Sequence, residues 1–552
     1  MEAPRFWTWA CLELHDANFE ERFESERFQH VGKFSLLGTC EENLARFYSE
    51  IMSYKSLYGF LDISQQDLTG LAPEILPRLF SRMSWIFLKN VTLSPDQVSQ
   101  LFSSLAESEK CELNYLYYIG SDLSSVSPES LSRAAVRLTK LELYETQLRS
   151  EQVTALFRLF EERGESKLEY LDLGHNNLSS VPAASLATAV GRLKEVKFSY
   201  SQLSGDQWTR IFLSIADSPD LRLTVLDAYG NDLSAVSPEL LSRALVRLEE
   251  ADLHMTDLTP QQVTAIFLRL AEAEAEQLKL TKLTIWSNDL SAVPPQTLAQ
   301  AAVRLEEVSL FMTTLSPSQV SVLLRTMLQT ADLRLRCLDI CDNDLSWLPL
   351  NVLVEAVMKI EEINLYNTHL TQQHLESLIT SIAQQEEVKL KKLDLRYNDL
   401  SSLSSETLSL AVSKLEEISL DNTDLSQRQI ISILTRIIEQ DTKLKHLELG
   451  RNNLSSVPLD LLTRALVKLE EVSLSDCQLS PLNITAIFIT ISERKELTLK
   501  SLDMRENERL SCVPDDVLSS LRKRITWLYL SEESAPECHR VIYYRLRPGP
   551  DI

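Results

Sequence analysis

Glycine and proline are scarce in this sequence of 552 residues, which contains 12 glycines and 19 prolines. Disordered linkers and collagen-like chains need a much larger share of these residues, so the composition excludes both classes. Hydrophobic residues make up 44% of the chain, which is ample for an extensive core. We therefore expect a folded protein, and the length would allow several domains.

Cysteine is also scarce, with eight residues and no C-x-x-C spacing. The segment CLDIC brings Cys337 and Cys341 closest to a plausible pair. On one face of a strand these residues would lie about 13 Å apart, at about 3.3 Å per residue. A disulfide cannot span that distance. We expect free thiols and an intracellular protein.

Long apolar runs and excess positive charge are missing as well. No run approaches the roughly 20 residues that a membrane helix needs, and the acidic N-terminus lacks the features of a signal peptide. Acidic residues number 79 and basic residues 55, so the formal net charge is −24. Such a protein should repel nucleic acids and anionic membranes and attract basic partners. We expect a cytoplasmic location.

The sequence offers little catalytic chemistry. It contains no G-x-x-x-x-G-K-[ST] loop, and none of its eight histidines has a second ligand at metal spacing. Acid pairs such as Glu306–Glu307 and Glu361–Glu362 recur at one register, which is typical of a scaffold surface. A catalytic dyad would normally occur once. The sequence therefore predicts no enzyme activity, no metal site and no cofactor.

An eleven-residue motif recurs along the chain in two alternating versions. The first has asparagine at position nine, as in LEYLDLGHNNL (168–178). The second has threonine, serine or cysteine there, as in LEEVSLFMTTL (305–315). Asn176 and Ser201 are 25 residues apart, and Ser201 and Asn231 are 30 apart, so the true unit is a pair of unequal repeats. Degenerate copies bring the total to about eighteen strands.

Each position of the motif has a physical role. The leucines should pack between strands and helices, and the polar residue at position nine should satisfy backbone groups in the turn that follows. A short helix is expected after the asparagine strands, as at 181–193. A longer helix is expected after the second version, as at 316–333 with Ser316 as its N-cap.

This pattern resembles the leucine-rich repeat, and the alternation resembles its ribonuclease-inhibitor-like subclass, which also forms the sensing end of many NOD-like receptors. The resemblance implies an α/β leucine-rich-repeat solenoid, a horseshoe with parallel strands on the concave side and helices on the convex side. About 18 repeats should form alternating pairs. We expect residues 1–52 to form an N-terminal cap with a weak further copy of the motif, 53–530 the repeat domain, and 531–552 a capping tail.

Positions three, five and seven alternate with the buried leucines and should face the concave side, where position seven varies most. Aromatic side chains ringed by carboxylates suit a basic protein or peptide. The alternative is that the aromatics only cover the sheet and one another. The predicted partner contacts are the aromatic residues Tyr229, His254, Trp286, Phe311 and Tyr366, and the acids Asp227, Glu250, Asp252, Glu307, Asp339 and Glu362.

These observations predict a non-enzymatic, monomeric recognition scaffold that binds a basic protein or peptide. A second hypothesis is a GTPase-activating protein, by analogy with the leucine-rich horseshoe of the Ran GTPase-activating protein. The chain has no acidic C-terminal tail of that kind, and no single arginine stands out as catalytic. A purely structural assembly protein is a third hypothesis.

Overall fold

A computed structural model describes residues 11–13, 33–35, 60–64, 67–81, 83–108, 111–162, 166–440, 442–494, 497–507, 517, 521, 525 and 527–530. The chain divides into two compact units, Met1–Ala292 and Val293–Ile552. Each unit is an open parallel sheet whose strands alternate with helices. The fold is the α/β leucine-rich-repeat solenoid that the sequence predicted.

The first unit contains strands that pair in parallel, each with the next in chain order. Its strands are β1 (Cys11–Glu13), β2 (Lys33–Ser35), β3 (Phe60–Ser64), β4 (Trp85–Lys89), β5 (Tyr115–Ile119), β6 (Lys140–Glu142), β7 (Tyr170–Asp172), β8 (Glu195–Lys197), β9 (Val225–Asp227), β10 (Glu250–Asp252) and β11 (Lys282–Thr284). Its helices are α1 (Ile75–Phe80), α2 (Pro95–Glu107), α3 (Pro128–Ala135), α4 (Ser150–Glu162), α5 (Ala183–Val190), α6 (Gly205–Asp217), α7 (Pro238–Leu245) and α8 (Pro260–Glu272).

The second unit repeats the arrangement, again with parallel pairing in chain order. Its strands are β12 (Glu307–Ser309), β13 (Cys337–Asp339), β14 (Glu362–Asn364), β15 (Lys392–Asp394), β16 (Glu417–Ser419), β17 (His446–Glu448), β18 (Glu471–Ser473), β19 (Ser501–Asp503) and β20 (Trp527–Tyr529). Its helices are α9 (Pro295–Ala302), α10 (Pro317–Gln329), α11 (Leu350–Val357), α12 (Gln372–Gln384), α13 (Ser405–Val412), α14 (Gln427–Glu439), α15 (Leu459–Leu466) and α16 (Pro481–Glu493).

The motif leucines form the core, as their spacing predicts. In the copy at 223–233, Leu223, Leu226 and Leu233 are all at most 1% exposed. Positions three and five of the same copy, Val225 and Asp227, are only half-buried because they point to the opposite face of the sheet. We call that solvent-facing side of the sheet the strand face.

The two versions of the motif lead into helices of two lengths. A helix of eight residues follows the asparagine strands, as α5 does, and one of 13 residues follows the second version, as α10 does. Ser316 is the N-cap of α10 and forms a capping box with Gln319. The predicted alternation of short and long helices, with Ser316 as a cap, is therefore confirmed.

The polar residue at position nine satisfies backbone groups, as predicted. Asn288 donates through Nδ2 to the carbonyl oxygens of Leu253 at 2.8 Å and Ile285 at 3.1 Å. Its Oδ1 accepts from the N–H of Leu258 at 3.1 Å, in the preceding repeat. Thr256 donates its hydroxyl to the carbonyl of Leu253 at 2.6 Å. Asparagine thus joins two repeats, whereas threonine satisfies its own turn.

A second difference between the versions lies in the backbone. Position eight has a positive φ in both versions, as at His175 (54°) and Met255 (51°). Only the second version has another positive φ, at position ten, as in Asp257 (51°) and Thr314 (55°). This extra left-handed residue turns the chain at once toward the N-cap of the long helix. The alternation therefore encodes two different turns.

The predictions for the cysteines and for the two ends of the chain have different outcomes. Cys337 and Cys341 form no disulfide in the described part of the chain. β1 and β2 extend the parallel sheet into the segment 1–52, which was predicted to be a cap with a weak repeat. The predicted tail 531–552 lies outside the described residues. The three domain boundaries stay predictions.

Candidate functional site

A continuous row of rings crosses the strand face of the first unit. Successive ring centroids along it lie 4.7, 4.7, 4.6, 3.5 and 4.1 Å apart. The last two contacts are stacked, with interplanar angles of 24° and 16°. We call this set the aromatic row, and its members in order are Tyr144, His175, Tyr200, Tyr229, His254 and Trp286.

The row brings together three of the predicted contact residues. Tyr229 and Trp286 are half-buried, and His254 between them is only 8% exposed. The Nδ1 atom of His254 also contacts a carboxylate oxygen of Asp252. His254 is therefore a buried support for its two neighbours, and these present the wider ring surfaces to solvent. This packing agrees in part with the alternative that the rings cover one another.

Three members of the row were missed from the sequence. Tyr144 lies at position seven of the copy at 138–148, which contains none of the predicted contact residues. His175 and Tyr200 lie at position eight, where φ values of 54° and 49° turn the side chain back toward the rings at position seven. The recurring aromatic residues at positions seven and eight of successive copies were the signal that could have revealed them.

Carboxylates at position five lie beside the aromatic row. Asp227 accepts from the N–H of Tyr229 at 2.9 Å, and Asp252 accepts from the N–H of His254 at 3.1 Å. Each carboxylate therefore stabilises the turn that holds the ring at position seven. We call the acids at this position the carboxylate row, and its members are Glu142, Asp172, Asp227 and Asp252.

Burial raises the pKa values of carboxyl groups in the carboxylate row. Burial, and then the nearby Glu142, raises the pKa of Asp172 to about 8. Burial, and then Asp252, raises the pKa of Asp227 to about 6. Burial also raises the pKa of Glu142, and Lys197 opposes that shift. Burial makes these carboxyl groups harder to ionise, and a cation bound beside the carboxylate row would favour their ionised form.

Glu250 completes the predicted acids of the first unit. It lies at position three of the motif copy at 248–258, and its carboxylate is 4.0 Å from Nζ of Lys282. Both side chains are nearly half exposed, at 46% and 47%. Such an exposed pair contributes little to stability, so it leaves Glu250 available for a partner.

The predicted residues of the second unit form a separate group. The ring of Tyr366 lies 5.0 Å from the ring of Tyr397. The guanidinium of Arg396 lies 5.4 Å from the centroid of the Tyr366 ring. Phe311 is half-buried at position seven after β12.

The acids of the second unit are internally bonded. Asp339 accepts from the N–H of Cys341 at 3.1 Å and from the hydroxyl of Ser309 at 3.0 Å. Glu362 lies 3.7 Å from Nζ of Lys392. Glu307 is half-buried at position three of the motif copy at 305–315.

The recurring acid pairs of the second unit divide between two surfaces. The first glutamate of each pair faces a cation on the next strand, as in Glu361–Lys391 at 2.6 Å and Glu470–Lys500 at 2.6 Å. The second glutamate lies at position three, on the strand face. The repetition that argued for a scaffold surface therefore also provides ion pairs between neighbouring repeats.

The described residues also bear on membrane insertion and metal binding. In this part of the chain, no helix is both long and apolar enough to cross a bilayer. Nor do the described residues include a group of three or more His, Cys, Asp or Glu side chains placed to hold a metal ion.

The comparisons with known proteins agree with the repeat architecture. A family model described as Leucine Rich Repeat matches residues 167–188, which span β7 and the first turns of α5. No curated protein matches the chain. The family match and the repeated parallel strands together support a leucine-rich repeat protein.

Proposed function

We propose that this leucine-rich repeat protein is a non-enzymatic, cytoplasmic scaffold that binds a basic protein or peptide on its strand face as a monomer. The observation that supports it most is the aromatic row lying beside the carboxylate row in the first unit. Rings supply apolar and cation–π contacts, and carboxylates supply charge. A basic partner is the one chemistry that uses both.

The proposal assigns the two rows different roles. Tyr229 and Trp286 serve as anchors, because they are large, half-buried and held in place by His254. Asp227, Glu250 and Asp252 attract the partner and compensate its charge. The formal net charge of −24 would speed the encounter with a basic protein at low salt.

The predicted residues of the second unit are proposed as further contacts of the same kind. Phe311 and Tyr366 would supply ring surface. Glu307, Asp339 and Glu362 would supply charge, less strongly where Ser309 and Lys392 already engage them. We expect the first unit to contribute more of the binding free energy.

Substitution of Trp286 tests the proposal. A partner captured from cell lysate by the intact chain should bind Trp286→Ala about 30-fold more weakly, equivalent to a cost of about 2 kcal/mol. Its affinity should also fall as salt is added. Trp347→Ala is the matched control, since that half-buried tryptophan lies in the loop before α11, where its Nε1 donates to the carbonyl of Asp344. Binding indifferent to both Trp286→Ala and salt would refute this site.

The second hypothesis from the sequence, activation of a small GTPase, needs its own assay. The intact chain is added to purified small GTPases and the rate of GTP hydrolysis is measured. We expect no acceleration. A clear acceleration, abolished by substitution of a single arginine, would replace the scaffold proposal.

A further inference from the structure

An open pocket of ≈ 430 Å³ lies in the first unit, beyond the carboxyl ends of β7, β8 and β9. It adjoins the aromatic row, because His175 and Tyr200 line it. Gly230, Asn231 and Asp232 line it from the next repeat. The pocket is thus formed by three successive turns, two of which present rings.

Tyr200 is a fixed wall of this pocket. Its hydroxyl donates to the hydroxyl of Tyr229 at 2.9 Å. Its ring lies 4.7 Å from the ring of His175 at 59°, and 4.6 Å from that of Tyr229 at 63°. Contacts on both sides hold the ring in place, so a ligand would meet a surface that is already ordered.

Gly230 provides the space that the ring needs. A Cβ atom at this position would lie 2.6 Å from the ring of Tyr200, well inside van der Waals contact. The residue also has a φ of 67°, which glycine adopts without strain. A side chain at position 230 would displace Tyr200 and alter the pocket.

Asn231 leaves one hydrogen-bond acceptor unused beside the pocket. It is only 5% exposed, and its Nδ2 donates to the carbonyls of Phe198 and Ala228 at 2.7 and 3.0 Å. Among the described residues, its Oδ1 has no hydrogen-bond partner. The equivalent Oδ1 of Asn288 accepts from the N–H of Leu258, at position eleven of the preceding repeat. Leu203 holds that position here and lines the pocket.

This unused acceptor separates Asn231 from the other asparagines of the repeat. Each of the others accepts from a backbone N–H of the preceding repeat, at 3.0 to 3.3 Å, and they are Asn176, Asn288, Asn343, Asn398, Asn452 and Asn507. A buried carbonyl oxygen without a partner destabilises the folded state. This turn therefore lacks the hydrogen bond to the preceding repeat that the other asparagines accept.

We propose that this pocket receives the guanidinium group of an arginine side chain from the basic partner, an inference that rests on the proposed function. The rings of His175 and Tyr200 and the exposed carboxylate of Asp232 surround the space, together with Asn231. Among the seven described residues that line it, none is Lys or Arg. The negative charge of Asp232 in this lining therefore suits a cation.

Arginine fits this lining better than lysine does. Its planar group stacks on ring faces and presents five N–H donors in a fixed plane. One edge could donate to Asp232 while another reached the turn of Asn231. A lysine ammonium has three donors and is more strongly hydrated, so it would gain less from the rings.

The experiment titrates the intact chain with a short acetylated peptide that contains a single arginine. Binding is followed by saturation-transfer NMR at low salt. Matched peptides carry citrulline, which keeps the shape but loses the charge, or lysine. We expect the citrulline peptide to bind at least tenfold more weakly and the lysine peptide at least threefold more weakly. Equal binding of the three peptides would overturn the inference.

Two variants locate the binding on the chain. Tyr200→Leu removes a wall, and Asp232→Asn removes the charge but keeps an oxygen for the N–H of Ser234, 2.8 Å away. Each should weaken the arginine peptide about tenfold. The control is Asp344→Asn, at the same repeat position in the second unit, where the carboxylate accepts from the N–H of Ser346 at 2.9 Å. If Tyr200→Leu fails to fold, Asp232→Asn still decides.

The outcomes separate this inference from the proposed function. If Trp286→Ala weakens the captured partner while Tyr200→Leu and Asp232→Asn leave it unchanged, the strand face binds but the pocket inference is wrong. If none of the three variants matters, the proposed function fails as well. If all three weaken binding and Asp344→Asn does not, both are supported.

Discussion

At the scale of single residues, position eight of the repeat shows a conflict between conformation and sequence. Sixteen described copies have a positive φ there, yet glycine fills the position only at Gly120 and Gly230. A left-handed residue other than glycine costs about 1–2 kcal/mol. Several of the side chains kept at this cost are exposed, including Met255, Met312 and Tyr397. The ring of Tyr397 lies 5.0 Å from that of Tyr366, so a side chain at position eight can also contact the preceding repeat.

Met312 tests the cost of this conformation. Its φ is 49° and its side chain is 52% exposed. Met312→Gly should be more stable than Met312→Ala by about 1 kcal/mol, because only alanine keeps the Cβ that opposes the left-handed backbone. Both variants lose the same side-chain contacts, so each controls the other. Equal free energies of unfolding in urea would show that this turn is not strained.

Part of the proposed binding surface could be predicted at this scale. Strand alternation placed Asp227, Tyr229 and Trp286 on one face, and the structure agrees. The burial of His254 could not be read from the sequence, because it depends on stacking between rings from two other strands. The same limit concealed Tyr200, whose direction follows from a backbone angle that its residue type does not favour.

At the scale of helices and strands, one buried residue connects seven of the eight described long helices to the preceding repeat. In α8 it is Gln262, which is fully buried. Its Nε2 donates to the carbonyls of Leu233 and Val236, both at 2.7 Å, and its Oε1 accepts from the N–H of Thr259 at 2.7 Å. The capping box therefore also connects neighbouring repeats. The residues with this role are Gln97, Gln152, Gln207, Gln262, Gln319, His374 and Gln429.

Removal of this connection should be costly. Gln262→Ala would leave two buried carbonyl oxygens and one N–H unsatisfied, so we expect a loss of about 2–4 kcal/mol in the free energy of unfolding. Gln261→Ala is the control, because the neighbouring glutamine is exposed on the same helix. Chemical denaturation of the two variants measures the difference. A loss below about 0.5 kcal/mol for Gln262→Ala would show that water replaces the lost bonds.

The sequence predicted the elements better than the connections between them. Repeat spacings of 25 and 30 residues gave the order of short and long helices, since the helix length takes up the difference. A buried glutamine occupies the third position of six of the eight described long helices, and this recurrence was visible as a pattern. The role of this glutamine could not be predicted, because a polar residue at that position equally suits a helix face exposed to solvent. His374 hides the pattern further, although its Nε2 lies 2.7 Å from the Leu348 carbonyl.

At the scale of the whole molecule, both units hold carboxylates whose negative charge the fold compensates poorly. The glutamates at position two meet cations from the next repeat in each unit, as in Glu169–Lys194 and Glu361–Lys391. Burial nevertheless raises the pKa values of Asp172 and Asp227 in the first unit, and it raises the pKa of Asp421 in the second unit to about 7. Ionisation of these carboxyl groups therefore costs the fold free energy, which a cation from a basic partner would offset.

That cost predicts an unusual dependence of stability on pH. The folded-state pKa values of Asp172 and Asp227, about 8 and about 6, lie above the ordinary value near 4. Between about pH 4 and pH 8 the folded chain thus binds more protons at these sites than the unfolded chain does. Their contribution to the free energy of unfolding is largest at low pH in this window and falls as pH rises.

Asp172→Asn should remove the larger part of this dependence. The amide oxygen can still accept from the N–H of Gly174, which is 2.8 Å from Asp172 now, but it never ionises. We expect little change in the free energy of unfolding at pH 5 and a gain of at least about 1 kcal/mol over the native chain at pH 8.5. Urea unfolding at several pH values, with the exposed Asp232→Asn as control, measures this. Parallel pH profiles for Asp172→Asn and the native chain would mean that the Asp172 carboxylate is already compensated, and the carboxylate row would then offer a basic partner no unmet charge.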